Sequence, residues 1–118
     1  MLKMYGIPNC DTIKKARVWL EKNKIKYEFH NFKTEGIDRE KLKEWAAKYE
    51  WQLLLNKKGT TWRKLAPSLP STELTRAGTL KLLSQHPSMI KRPVIEYGDK
   101  LLVGFDELVY KEQFLRKK

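Results

Sequence analysis

The 118-residue chain predicts an α/β fold built from a β-α-β unit, a helical insertion and a closing β-β-α unit. Three observations carry that expectation. Residues 2–5 and 26–32 alternate in polarity as the two faces of a strand require. Apolar residues recur at helical spacing over 13–20 and 42–49. Residues 93–103 read as two short strands around Gly98-Asp99.

The elements follow in order. Leu2-Lys3-Met4-Tyr5 forms the first strand, and Gly6-Ile7-Pro8-Asn9 reads as a turn. A helix begins after Cys10, with Ile13, Ala16, Arg17 and Leu20 at i, i+3, i+4 and i+7, and Asn23 as its stop. Residues 26–32 form the second strand. A strand–helix–strand unit with one crossover helix is expected to be parallel and right-handed. Asp38 can cap a helix whose inner face is Leu42, Trp45, Ala46 and Tyr49. Trp51-Gln52-Leu53-Leu54-Leu55 reads as a further short helical turn, and Thr60-Thr61 as the start of a short helix carrying Trp62 and Leu65. After the breaks at Pro67 and Pro70, Ser71 or Thr72 can cap a segment. Leu80, Leu82 and Leu83 mark a helix that must stop before Pro87. The hairpin comes next, Gly104 ends its second strand, and Asp106 caps a terminal helix over 108–115. That order is the order of a thioredoxin-like core with a helical insertion, about 37–86, before its third strand. The whole chain, 1–118, reads as one domain.

The totals exclude several classes. One cysteine allows no intrachain disulfide, and the two histidines, His30 and His86, lie far apart, so no metal site is expected. The N-terminus lacks the apolar run of a signal peptide and nothing later is long enough to span a bilayer, which points to the cytoplasm. Lys+Arg 25 against Asp+Glu 14 gives a formal charge of +11, a field that attracts acidic partners. The basic residues are dispersed, with no run of five or six, so specific nucleic-acid binding is not expected and a basic surface suffices. A monomer with no tightly bound cofactor is the expected state.

Cys10 carries the chemistry. A thiol at a strand–turn–helix junction meets the free N–H groups and dipole of the helix N-terminus, which favour its thiolate. The competing reading is an inert core thiol, since free cysteine is among the most buried residue types. The partner position of a Cys-x-x-Cys pair is Ile13, so any redox cycle needs an external thiol, most simply glutathione. A phosphatase loop is excluded: its arginine, six residues on, would fall at Ala16, and Arg17 misses by one. Arg92, before Pro93, has the planar fork to hold a thiolate or a glutathione carboxylate; a solvated Lys91-Arg92 pair is the equal alternative. A proline opening this strand of a thioredoxin-like fold lies against the active-site turn and is typically cis. Thr12 is read first as a helix cap and second as a donor to the sulfur. Lys14, i+4 from Cys10, either supports the thiolate or is solvated. Asn9 in the turn, and Asn56 and Lys57 in the polar loop 56–61, complete the candidate substrate or glutathione site. The four tryptophans are read as core or interface, and His86 as a helix-end residue.

Three stretches resemble one family: Tyr5-Gly6-Ile7-Pro8-Asn9-Cys10-Asp11-Thr12; Leu54-Leu55-Asn56-Lys57-Lys58-Gly59-Thr60-Thr61-Trp62-Arg63-Lys64-Leu65; and His86-Pro87-Ser88-Met89-Ile90-Lys91-Arg92-Pro93-Val94-Ile95. With Val103-Gly104-Phe105-Asp106 they make the chain similar to the arsenate reductase/Spx family, and within it to the small YffB-type branch. The resemblance spans essentially the whole chain and implies a thioredoxin-like core with a helical insert. It implies Cys10 as the reactive cysteine of glutaredoxin-coupled arsenate reductases, and Arg92 as one of their three arsenate-binding arginines. The other two meet Asn56 and the Val103-Gly104 stretch, and a histidine ahead of the cysteine meets Gly6. Each missing donor to an oxyanion costs roughly 3 kcal/mol of transition-state binding, so arsenate reduction is disfavoured. Spx-type regulators bind the RNA polymerase α subunit and sense oxidants through a Cys-x-x-Cys pair, whose second position is Ile13 here. The YffB-type branch implies a glutathione-dependent thiol reductase acting on a small thiol or disulfide. The first expectation is therefore a monothiol thiol–disulfide oxidoreductase with glutathione as co-substrate. The second is a non-catalytic regulator that binds the polymerase α subunit.

Overall fold

The computed structural model describes residues 2–8, 10–57, 59–68 and 75–115. Asn9, Lys58, Pro70, Ser71 and Thr72 lie outside them. Four strands form one sheet in the order β2-β1-β3-β4. β1 (Leu2–Gly6) and β2 (Tyr27–Asn31) run parallel, Leu2 opposite Tyr27 and Gly6 opposite Asn31. α1 (Asp11–Lys22) links them, as a parallel pair requires. β3 (Val94–Tyr97) is antiparallel to β1, and β4 (Lys100–Val103) is antiparallel to β3. The β3–β4 turn has two residues, and its first, Gly98, takes φ +59, a conformation that suits glycine.

Strand alternation sends side chains to two cores. Leu2, Met4 and Ile95 pack with Ile13, Ala16, Trp19 and Leu20 of α1 and with Tyr110. Tyr5, Val94 and Leu101 point the other way, toward Phe32, Leu42, Trp45, Leu54, Leu80 and Leu83. Those residues come from the chain between β2 and β3: α2 (Phe32–Glu35), α3 (Arg39–Lys48), a 3-10 turn (Trp51–Leu54), α4 (Thr60–Leu65), α5 (Arg76–Gln85) and a 3-10 turn at Pro87–Met89. The result is three layers, the sheet between α1 and the C-terminal segment on one face and the inserted helices on the other. Among the described residues no helix is long and apolar enough to cross a membrane.

Several local expectations need correction. Phe32 opens α2 instead of ending β2, because the Asn31 side chain accepts a hydrogen bond from the Lys33 N–H (2.9 Å) and turns the chain into helix. Arg17 is not on the inner face of α1. Its Nε donates to the Tyr27 hydroxyl (2.9 Å), its guanidinium lies 4.6 Å from the Phe29 ring centre, and Trp19 takes the buried place. Asp38 stands at the N-cap of α3 but its side chain makes no capping hydrogen bond. α5 is capped by Thr75, whose hydroxyl accepts from the Gly78 N–H. Asp106 does cap α6 (Glu107–Tyr110), accepting from the N–H groups of Leu108 and Val109. The chain then widens into a π-helical turn (Lys111–Leu115) that brings Phe114 against Trp19, Tyr97 and Tyr110.

One polar cluster is built into the second core. The Glu96 carboxylate accepts from the Tyr5 hydroxyl (2.7 Å), the Trp45 indole N–H (2.9 Å) and Lys41 Nζ (3.2 Å). Burial alone would raise its pKa, but these donors outweigh it and hold Glu96 below the ordinary carboxylate value. Burial, with the Glu96 charge beside it, pushes the Tyr5 phenol up.

Candidate functional site

Three segments converge at one end of β1. Tyr5 is paired with Val94 in the antiparallel β1–β3 ladder. That is the last pair of the ladder, so the chain leaving β1 toward Cys10 and the chain entering β3 from Arg92 and Pro93 start from the same end of the sheet. The Arg92–Pro93 peptide is cis and Pro93 is buried. On its other side Arg92 is bracketed by the inserted loop. Lys91 N–H donates to the Leu54 carbonyl (2.7 Å), Asn56 N–H donates to the Met89 carbonyl (2.8 Å), and Leu55 bridges Ile90. The Pro93 carbonyl in turn accepts from Gly104 N–H (2.8 Å), tying the end of β4 to the same place.

Cys10 is the N-cap residue of α1, with extended backbone (φ −102°, ψ 130°), and its carbonyl accepts the first helical bond from Lys14 N–H (2.9 Å). Its thiol is free and half-buried, in contact with the core formed by α1 and the sheet. Its side chain makes no capping hydrogen bond, and among the described residues no side chain accepts from the N–H groups of the first turn, which can face an anion at this helix end. Gly6 permits the close approach. A Cβ there would collide with the Ile13 side chain, which is fully buried. Arg92 is half-buried and makes no hydrogen bond or ion pair among the described residues.

The ArsC family model matches residues 5–113 of the chain. The chain belongs to the ArsC family. Among solved structures it is similar to a YFFB protein, with 47% identity and a TM-score of 0.85 over 93% of this chain and 96% of that one. It is also similar to an arsenate reductase (ArsC) related protein from Brucella melitensis, at 43% identity and a TM-score of 0.74 over 98% and 95%. A Haemophilus influenzae protein described as uncharacterized is 38% identical over 114 residues, 97% of this chain and 99% of its own. A global transcriptional regulator Spx from Streptococcus agalactiae is 28% identical over 109 residues, 91% of this chain and 78% of its own.

Within this ArsC-family fold the candidate residues divide. Arg92 and Pro93 enter β3 and Cys10 follows β1, the strand that pairs with it, while Asn56, half-buried, is hydrogen-bonded to the segment just before Arg92. Asn9 lies outside the described residues. Thr12 is not the cap: helix starts at Asp11, the cap position is Cys10, and Thr12 is already the second helical residue. Lys14 is exposed and lines a groove between α1 and the C-terminal segment. The Lys57 ammonium lies 5.8 Å from the Trp62 ring centre, drawn onto α4. His86 ends α5, its N–H bonded to the Leu82 carbonyl and its carbonyl to Met89 N–H, as a helix-end residue should be. The sequence reading missed the Leu55–Ile90 bridge, which brings Asn56 to the site. Its only trace is that Leu53-Leu54-Leu55 and Met89-Ile90 are short apolar runs beside turns.

Proposed function

We propose that this ArsC-family chain is a glutathione-dependent monothiol thiol–disulfide oxidoreductase. One observation supports the reading: a half-buried free thiol opens α1 just after β1, and the strand paired with β1 is entered through Arg92, a guanidinium with no partner among the described residues. In the proposed cycle the Cys10 thiolate attacks the glutathionyl sulfur of a mixed disulfide R–S–S–G. A Cys10–glutathione disulfide forms, and R–S⁻ leaves and takes a proton from water. A second glutathione thiolate attacks the glutathionyl sulfur of that disulfide, releasing oxidised glutathione and the Cys10 thiolate. The net change is R–S–S–G plus glutathione to R–SH plus oxidised glutathione. Position 13 offers no resolving thiol: Ile13 is fully buried in the core, so resolution has to come from outside. In this cycle Arg92 holds a glutathione carboxylate with its fork.

Arsenate reduction is the weaker reading for this site. Asn56 replaces one expected guanidinium. The third position meets the Val103-Gly104 stretch, which supplies no arginine, and the Lys91 side chain lies beside Gly104. A glutathione-coupled assay on a glutathionylated substrate tests the proposal. Wild type should turn over and Cys10→Ser should not, while both melt at the same temperature. Retained activity in Cys10→Ser, or an inactive wild type, ends it.

A second reading, a regulator that docks on the RNA polymerase α subunit, draws on the similarity to Spx over 109 residues. It expects purified α subunit to bind wild type and Cys10→Ser equally, and binding must survive moderate salt, since a +11 chain also holds acidic surfaces non-specifically.

A further inference from the structure

On the α1 face of the sheet, a groove of about 620 Å³ runs between α1 and the C-terminal segment. Trp19 and Phe105 give it an apolar floor, and Val18 stands on its rim, 63% exposed. Lys14, Lys15 and Lys22 line it from α1. The groove's carboxylate, Glu107, is 3.5 Å from Lys111 Nζ, so that pair compensates itself. The three α1 lysines have no ion pair among the described residues. The arrangement follows from helical spacing. With Ile13, Ala16 and Leu20 turned into the core, positions 14, 15, 18 and 22 fall on the outer side of α1.

Leu108 (73% exposed), Val109 and Leu115 are exposed on the C-terminal segment that forms the groove's other wall. Exposed apolar side chains gathered on two neighbouring elements, with unpaired cations among them, mark a surface shaped for a partner. The lysines at 15 and 22 are seven residues apart, roughly 10 Å along the helix axis, a spacing that two turns of a second helix match.

We propose that this groove docks an acidic amphipathic helical segment of a partner protein. Its apolar residues rest on Val18, Trp19 and Phe105, and its flanking carboxylates pair with Lys14, Lys15 and Lys22. Val18, Trp19 and Phe105 set an apolar strip beside the α1 lysines, which an amphipathic polypeptide matches and a small anion does not. The docking is independent of thiol chemistry, because Val18, Lys15 and Lys22 take no part in the proposed cycle.

The test is a fluorescence anisotropy titration with a labelled synthetic peptide carrying leucine at alternating third and fourth positions and glutamate elsewhere. Wild type and Cys10→Ser should bind it alike. Val18→Asp and the double variant Lys15→Glu/Lys22→Glu should each bind at least about tenfold more weakly, a change of about 1.4 kcal/mol. Lys64→Glu/Lys81→Glu, on α4 and α5, should bind as wild type, and melting curves should show all variants folded. A scrambled peptide of the same composition should bind at least about tenfold more weakly than the ordered one. Four outcomes overturn the proposal. They are no peptide binding by wild type, equal binding by the groove variants, equal binding of the scrambled peptide, and binding of an anionic naphthalene sulfonate dye in the groove without binding of the peptide.

Discussion

Glu96 and Arg92 stand at opposite ends of the same short stretch of chain, and their surroundings could hardly differ more. Glu96, inside β3, is saturated: a phenol, an indole and an ammonium all point at its carboxylate. Arg92, just before the strand, has a charge of comparable cost to bury and no partner among the described residues. A half-buried charge that the protein satisfies itself belongs to the architecture, because it fastens α3 and β1 to β3. A half-buried charge left unsatisfied where three segments meet is available to something that comes from outside. That contrast separates the structural polar residues of this sheet from the candidate functional ones.

The largest effect tests the structural side. Glu96→Ala strands the buried Trp45 N–H and the Tyr5 hydroxyl and frees Lys41, for an expected loss of ~3 kcal/mol. For a chain of this size that is a fall in Tm of roughly 10 °C. A calorimetric scan showing a change below about 1 kcal/mol would mean that the network is ornamental and the contrast with Arg92 empty. On the other side, Arg92→Ala should leave Tm within about 2 °C, because no hydrogen bond or ion pair among the described residues is lost. It should raise the KM for glutathione about tenfold, the worth of one charge-assisted contact. An unchanged KM removes Arg92 from the proposed site, and a large drop in Tm would move it to the structural class with Glu96.

Much of this was legible in the sequence, for physical reasons that also mark where legibility stops. α1 is amphipathic, with Cys10 at its start, and periodicity alone places the thiol. The hairpin announces itself through Gly98-Asp99, and its two strands pair antiparallel around that turn. Contacts between residues far apart in sequence were not legible. Nothing local in Glu96 says that Tyr5, 91 residues away, and Trp45, 51 residues away, donate to it. Arg17 shows the same limit: at helical spacing it reads as a core position, and only β2 reveals that Tyr27 and Phe29 hold it at the edge. The capping error at Thr12 is of another kind. Residue type favours a cap, but the first helical residue is decided by where the preceding turn ends. Asp38 does hold the cap position of α3, without its side chain making the bond.

The smallest expected effect sharpens the comparison most, because it reads Glu96 by its charge. Its pKa is lowered in the folded chain, so the stability it supplies is present above the ordinary carboxylate value of 4.5 and is lost as pH falls through the lower folded value. Tyr5 and Lys41 are both raised, so their contribution holds below about pH 10 and is lost as pH rises through their folded values. Stability should therefore be flat between these limbs as far as this cluster is concerned. Lys41 is partly exposed, and its ion pair with Glu96 at 3.2 Å should be worth only about 0.5 kcal/mol at neutral pH. Lys41→Met should cost about that much, and by removing one donor it should let the Glu96 pKa rise, so that the acid limb begins at higher pH. Urea titrations of wild type and Lys41→Met from pH 3 to 8 measure both quantities. If the acid limb stays in place when Lys41 is gone, the Tyr5 and Trp45 hydrogen bonds alone set the Glu96 pKa. The saturated end of β3 would then be held by neutral donors, with no ion pair needed for the contrast with Arg92 to stand.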